Sequence, residues 1–543
     1  MAIQQDILKL SKDIPKTSDI EKEATDVGNG TTVVLGTAVD NAGYHRRLGR
    51  RQIMMMTFGA GVGTGLWVGT GTALKYAGPA RTAIAYTITA MIVYLQFTSI
   101  GEMTTYKPVH GGFIRQCAEY VEPAFSFAVG INFWFSWVIC IPAEITAAVS
   151  MLEFWPETTS VPLAAYITIF LVAITLANVF GVRLYGHVEY VMSFIKCLAI
   201  FAVIFFMFIM TSGGIPATNG PIEFRYWKNP GAFNNGIKGI TKAFVQALFS
   251  FGGGEHIAII AGEAKEPRKT VRSAVNPIFW RMATFFVVNI WLVGMCVPYD
   301  DENLINGSGT LGSPFVIAIE RAGVMWFAHV INGFIFLTVI SCGITSAYIA
   351  TRSLAALADL SIIHPFFGRK DTMGRPYVSL AISIVLGGGL CYLNCSNQGA
   401  VVYGWFSDLV GISTLFQGLK AQGIDYRSLP FRDFVAPYAQ YLALVVVVFI
   451  AGCEFYLACF PFGEKGSAKS FFSSYIAAPL FFLDYFAYKF YFKSKFVRAS
   501  EMDFKEAFAF DEEDRLIAAM TDHNEEDGPK SKLMKRLKYF TLG

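Results

Sequence analysis

Gly59-Ala-Gly-Val-Gly-Thr-Gly65 interrupts the middle of an apolar run over residues 53–74. Each glycine costs a helix about 1 kcal/mol relative to alanine, and a lipid-facing helix gains nothing from that loss. Phe249-Ser-Phe-Gly-Gly-Gly-Glu255 breaks a second run, 240–262, and sets an ionisable group beside three glycines. Two explanations compete. Small residues let transmembrane helices approach closely, which suits isolated glycines spaced by four and fits a triple glycine poorly. Alternatively, two unwound helices line a polar cavity, where free N–H groups at a half-helix N-terminus hold an anion and free C=O groups at a half-helix C-terminus hold a cation. Such a site suits a ligand carrying both a carboxylate and an ammonium, that is, an amino acid.

The surrounding chain supplies the solvent for this reading. Of 543 residues, 54% are apolar and 16% charged, with 49 Phe, against the ~25% charge of soluble domains. These values exclude a soluble enzyme, a nucleic-acid binder and a disordered scaffold. A net charge of +3 makes no case for a polyanionic partner. The nine Cys show no CxxC spacing and read as small buried hydrophobes. Neither a metal cluster nor a nucleophile constellation occurs, so no enzyme and no cofactor are expected.

Apolar segments run over 53–74, 83–105, 123–152, 161–180, 186–211, 240–262, 278–298, 325–350, 377–395, 400–419, 436–460 and 471–492. Each is about long enough to cross a ~30 Å core as a helix, and none alternates as barrel strands do. The expectation is an all-α polytopic membrane protein with 12 transmembrane helices. The glycine breaks fall in spans 1 and 6, matching positions of two five-span halves, which points to an inverted-repeat transporter site. The repeats cover about 53–211 and 240–419, with extra helices over 436–492. Residues 1–50 and 496–543 are tails flanking a twelve-span region, 51–495, and the acidic C-terminal one reads as a solvated regulatory segment. With the N-terminus inside, the inner connectors hold roughly 15 Lys and Arg, Arg268, Arg281 and Arg352 among them, against roughly 8 outside, so both termini are assigned to the cytoplasm. No short apolar segment follows the start Met, and no cleavable signal peptide is expected. Asn306-Gly-Ser308 and Asn394-Cys-Ser396 are sequons in outer loops.

Several stretches carry a resemblance: Leu48-Gly-Arg-Arg51 leading into Gly63-Thr-Gly-Leu-Trp-Val-Gly69, Gly101-Glu-Met103, Pro142-Ala-Glu-Ile-Thr-Ala-Ala148, Phe224-Arg-Tyr-Trp-Lys-Asn-Pro-Gly-Ala-Phe233, Gly262-Glu-Ala-Lys-Glu-Pro-Arg-Lys-Thr-Val271 and Tyr348-Ile-Ala-Thr-Arg-Ser-Leu354. In this order they resemble the fungal amino-acid permeases of the amino acid–polyamine–organocation superfamily, from about Leu48 to Phe504. The resemblance implies the leucine-transporter-like fold, with a 5+5 inverted repeat plus two helices, and proton-coupled amino-acid uptake at the plasma membrane by alternating access. It places Gly61, Gly63, Thr64 and Gly65 on the substrate carboxylate, and the carbonyls near Phe249 and Ser250, with Phe251 beside them, on its ammonium. Phe249 takes the position of an aromatic gate. The partners it implies are a free amino acid, protons, the lipid bilayer and ubiquitin-ligase adaptors at the cytoplasmic tails; nucleic acid is not among them.

A charge at bilayer depth costs at least ~2.5–3.5 kcal/mol, so Glu102, Glu144, Lys196 and Glu255 are functional candidates for proton coupling or gating. Lys196 resembles the span-5 Lys that replaces a sodium ion in proton-coupled relatives; the plainer reading is a snorkelling side chain. Glu144 fits a proton relay or a partner for a cationic substrate, and equally a protonated carboxyl bonded to a neighbouring helix. Glu255 would couple the span-6 break to its neighbours, and Glu102 fits a structural role at the inner gate. Asp408 has no counterpart and is given no role.

Three departures from the family stand out. Gly253-Gly254-Glu255 replaces Gly-Thr-Glu or Gly-Ser-Glu and is followed by His256; Trp67 replaces a Phe; and Gly411-Ile-Ser-Thr-Leu-Phe416 runs directly into Gln417, about a dozen residues short of a full span 10. The last of these motivates an alternative function, a non-transporting amino-acid sensor or an inactive permease.

Overall fold

The computed structural model describes residues 48–391, 438–462, 471 and 477–507, with short gaps at 153, 156, 159–160, 181, 219, 265–266, 276, 308–311, 373 and 505–506. These residues are helical almost throughout, and an isolated parallel bridge pairs Leu48 with Ala264. Among the described residues, six helices are long and apolar enough to cross a membrane, and three shorter apolar ones accompany them. The apolar run 400–419, Asp408, the Asn394 sequon and the shortened segment after Phe416 lie outside the described residues, as does Ser308 of the other sequon.

The first apolar run is not one helix. α1 (Arg50–Ala60) stops at Gly61. The chain resumes as a π-helical stretch, Gly65–Gly69, continuous with α2 (Thr70–Ala77). Gly78 then reverses direction at φ +79°, where a Cβ would sit 3.0 Å from the Ala232 carbonyl oxygen, so only glycine fits without strain. Pro79 opens α3 (Pro79–Tyr106), a position where its missing N–H costs nothing. α4 (Gly112–Tyr120), α5 (Pro123–Leu152), α6 (Leu163–Val179) and α7 (Val182–Thr211) follow.

The sixth run is broken like the first. α8 (Gly236–Phe251) ends at Gly252, and α9 (His256–Ile260) begins after Glu255. α10 (Pro267–Val275) precedes a helix that starts at Ile278–Arg281, widens to π geometry over Met282–Val288 and ends as α11 (Asn289–Cys296). Then come α12 (Pro314–Arg321), α13 (Met325–Asp359), α14 (Tyr377–Leu390), α15 (Tyr438–Cys459) and α16 (Ala477–Phe492).

α7 illustrates why these helices belong in lipid. Phe194, Phe201, Phe205 and Phe208 are exposed, while Glu189, Ser193 and Lys196 on the other face are buried. This inverts the pattern of a soluble amphipathic helix. In hydrocarbon, polar groups turn inward because lipid offers them no partner. α13 lies along α5, α1 along α7, and α8 against α2 and α3, so the two broken helices are held inside the bundle.

Two expectations change here. Arg281, counted among the inner connectors, lies within a helix and is 1% exposed. Arg268, Arg281 and Arg352 are in fact all buried. Arg268 donates to the backbone oxygens of Tyr106 (3.0 Å) and Ala507 (3.2 Å). The start of the expected solvated tail is packed, with Met502, Phe504 and Ala507 clustering on Met103, Tyr106 and Tyr120. Those aromatic and apolar residues were legible, but their partners lie some 400 positions away in sequence.

Arg352 ion-pairs with Glu263 at 2.7 Å, and Tyr348 donates to the same carboxylate at 2.8 Å. Removing one partner of a buried pair strands the other charge, so Arg352→Ala is expected to cost about 3–5 kcal/mol. Thermal unfolding of the detergent-purified protein measures this, and a melting temperature equal to wild type would contradict it. At one end of the bundle, Arg321 pairs with Asp301 at 2.6 Å and donates to the Tyr226 hydroxyl at 2.8 Å. Burial, then the neighbouring Asp301, holds the Glu320 carboxyl above the usual carboxylate range.

Candidate functional site

The two helix breaks face each other. A Cβ added to Gly61 would lie 3.3 Å from the Gly252 carbonyl oxygen, and one added to Gly65 would lie 2.7 Å from Ser250 Cα. Absence of side chains is therefore what allows the two backbones to meet. Ser250 Oγ donates to the Gly65 carbonyl at 2.7 Å and also hydrogen-bonds the Tyr86 hydroxyl at 2.9 Å. The first break is tied to α5 by Thr64 Oγ1, which donates to Glu144 Oε1 at 3.0 Å. Gly253 sits at φ +99°, and its N–H donates to Glu255 Oε2 at 3.0 Å. His256 is fully buried, and its Nδ1 hydrogen-bonds the Gly253 carbonyl, closing the second break.

Between the breaks lies a recess lined by Gly61, Gly63, Thr64, Gly65, Phe249, Ser250, Gly252, Gly253 and Glu255 from the broken helices. α5 contributes Phe133, Ser136, Trp137, Cys140 and Glu144, and α13 contributes Cys342 and Ser346. Most of the sequence-derived substrate residues thus meet in one place. Phe251 does not, because two further residues of helix turn its ring to the side opposite Phe249. It packs against Phe286, with centroids 4.3 Å apart, and Tyr86 at 5.9 Å. Glu102 is buried near the far end of α3 and does not line the recess.

Lys196 lies behind the recess. Its Nζ donates to the Gly59 carbonyl at 3.1 Å, in the last turn of α1. That carbonyl also accepts the Val62 N–H at 3.1 Å, and the ammonium meets the negative end of the helix dipole there. Glu189 Oε1 is 3.4 Å from the same ammonium, and both side chains are 1% exposed. Glu189 Oε2 accepts from Ser341 Oγ at 2.7 Å. Sequence reading passed over Glu189, although its spacing of seven from Lys196 puts both on one face of a helix. The α5 lining was equally legible: Phe133, Trp137, Cys140 and Glu144 recur at four, three and four residues, a single helical stripe.

The glycine at 254, where the family carries a hydroxyl, has a packing cause. A Cβ there would run into the Phe97 ring. Gly254→Thr is expected to destabilise the protein by about 1–3 kcal/mol through overpacking. Thermal unfolding of this variant and of Gly254→Thr/Phe97→Ala provides the test; failure of the double variant to recover stability would contradict the account. Trp67, which replaces a Phe, is buried edge-on against Phe315, with centroids 5.1 Å apart.

Among the described residues, no group of His, Cys, Asp and Glu is arranged to hold a metal. The family model described as amino acid permease matches residues 52–501. The chain is 33% identical over 483 residues to the probable amino-acid permease meu22 of Schizosaccharomyces pombe, covering 86% of this chain and 84% of that one. It is 34% identical over 493 residues to the general amino-acid permease GAP1 of Saccharomyces cerevisiae, covering 87% and 81%. Over 494 residues it is 32% identical to the S-adenosylmethionine permease GAP4 of Candida albicans, covering 88% and 80%.

Proposed function

Because the chain belongs to the amino acid permease family, we propose that it carries free amino acids across the plasma membrane together with protons, by alternating access. The observation that supports this most directly is the pair of broken helices meeting at one recess. The N–H groups of Gly63, Thr64 and Gly65 open the second half of the first helix and suit a substrate carboxylate. The carbonyls at Phe249 and Ser250 end α8 and suit its ammonium. The Phe249 ring covers the ligand and excludes water. In this reading the architecture is the twelve-helix, leucine-transporter-like arrangement with both termini in the cytoplasm, and the tails are where ubiquitin-ligase adaptors engage.

Proton coupling is assigned to Lys196, with Glu144 as the carboxylate that senses the substrate. Glu144 touches Thr64 in the first break and lines the recess, so a proton on it alters the substrate site directly. Glu255 acts on the second break through the Gly253 N–H. The relatives' names range from general amino acids to S-adenosylmethionine, and side chains lining the recess, Cys140 and Cys342 among them, are the candidates for choosing the cargo. A competition-uptake panel across the common amino acids, in a permease-deficient fungal host, tests the reading. Saturable uptake displaced by a subset of amino acids supports it; uptake indistinguishable from empty vector at normal surface expression would refute it.

A further inference from the structure

We propose that Glu189 is the counter-charge and proton-holding partner of Lys196, so that the coupling group is the pair rather than the lysine alone. This rests on the reading of Lys196 as a coupling residue and extends it. Three hydrogen bonds hold Glu189 within α7 and against α13: Lys196 Nζ and Ser193 Oγ donate to Oε1 at 3.4 and 3.5 Å, and Ser341 Oγ donates to Oε2 at 2.7 Å. Lys196 at the same time holds the Gly59 carbonyl at the end of α1. The chain of contacts Gly59–Lys196–Glu189–Ser341 therefore joins the break of the first helix to α13, which carries Cys342 and Ser346 into the recess.

A lone buried ammonium is expensive, and a carboxylate within ion-pairing distance offsets that cost. Uptake of a proton from solution forms an O–H bond on the Glu189 carboxylate, and the Lys196 ammonium is then left without its counter-charge. Release breaks that O–H bond and restores the neutral pair; no electrons are transferred. Protonation also weakens Glu189 as an acceptor for Ser341, because a hydrogen bond to a carboxylate is stronger than one to a carboxylic acid. One proton thus changes two contacts, at α1 and at α13. The titratable groups facing the pair are Glu144 from α5, Cys342 from α13, His256 from α9, and Tyr185 and Cys197 from α7. Glu144 also joins the first break to α13, through Thr64 and Cys342, whereas Glu189 reaches the end of α1 through Lys196.

The test uses the full-length protein in proteoliposomes with the labelled amino acid it carries best. Counterflow exchange, which needs no net proton movement, is compared with accumulation driven by an inward proton gradient. Glu189→Gln is expected to keep exchange within about 3-fold of wild type while accumulation falls about 10-fold or more and stops responding to outside pH. Glu189→Asp, which keeps the charge, is expected to recover part of both accumulation and pH response. Wild-type accumulation and pH response in Glu189→Gln would overturn the proposal. So would equal loss of exchange and accumulation in both variants, because that marks a structural residue. Absence of exchange by the wild-type protein for every common amino acid would instead remove the permease reading, and this proposal with it.

Discussion

Gly65→Val is expected to abolish amino-acid uptake. A Cβ at this position would fall 2.7 Å from Ser250 Cα and 3.3 Å from the Phe249 carbonyl oxygen. These are backbone atoms of the opposing broken helix, so no side-chain rotation relieves the clash. The two half-helices must separate, and the Ser250–Gly65 hydrogen bond parts with them. Overpacking of this kind costs about 1–3 kcal/mol even where side chains can yield, and misplacing a binding group by ~1 Å can cost about 100-fold in rate. Gly389→Ala is the control, because a Cβ there meets nothing within 4 Å. Initial uptake rates normalised to surface protein decide it: near-wild-type uptake by Gly65→Val would mean that the breaks do not form the site.

Lys196→Ala has the second largest expected effect, loss of concentrative uptake. The substitution removes the donor to the Gly59 carbonyl and strands the Glu189 carboxylate, which is fully buried. Breaking a buried pair in this way costs about 3–5 kcal/mol, so stability falls as well as coupling. Lys196→Met/Glu189→Gln separates the two effects, since it removes both charges at nearly constant volume. This double variant is expected to recover thermal stability and to remain unable to accumulate substrate against its gradient. Wild-type accumulation by either variant would take Lys196 out of the mechanism.

Much of the site was legible because glycine in an apolar run has few explanations. The positions of both breaks, the opposition of Gly61–Gly65 to Phe249–Glu255, and the depth of Lys196 and Glu144 follow from pattern and the cost of burying charge. What escaped was set by three-dimensional neighbours. Phe251 reads like Phe249 in sequence, yet it faces Phe286 because a helix rotates about 100° per residue. Arg281 reads as an end-of-span charge, but its guanidinium is buried over the Phe97 ring at 5.5 Å, a neighbour nearly 200 positions away in sequence. The Gly254–Phe97 fit joins the second break to α3, far away in sequence. Glu189 lies seven residues before Lys196 on one helix face, where a buried charge on a lipid-facing helix calls for a partner.

In the proposed function, this chain moves amino acids through the recess between its two helix breaks. Radiolabelled amino-acid uptake in a permease-deficient fungal host, with surface expression verified, tests it most directly when wild type, Gly65→Val and empty vector are run side by side. The expected result is concentrative, saturable uptake by wild type that an uncoupler collapses, with Gly65→Val at the level of the vector. Wild-type uptake equal to the vector for every amino acid, or equal uptake by wild type and Gly65→Val, would contradict it.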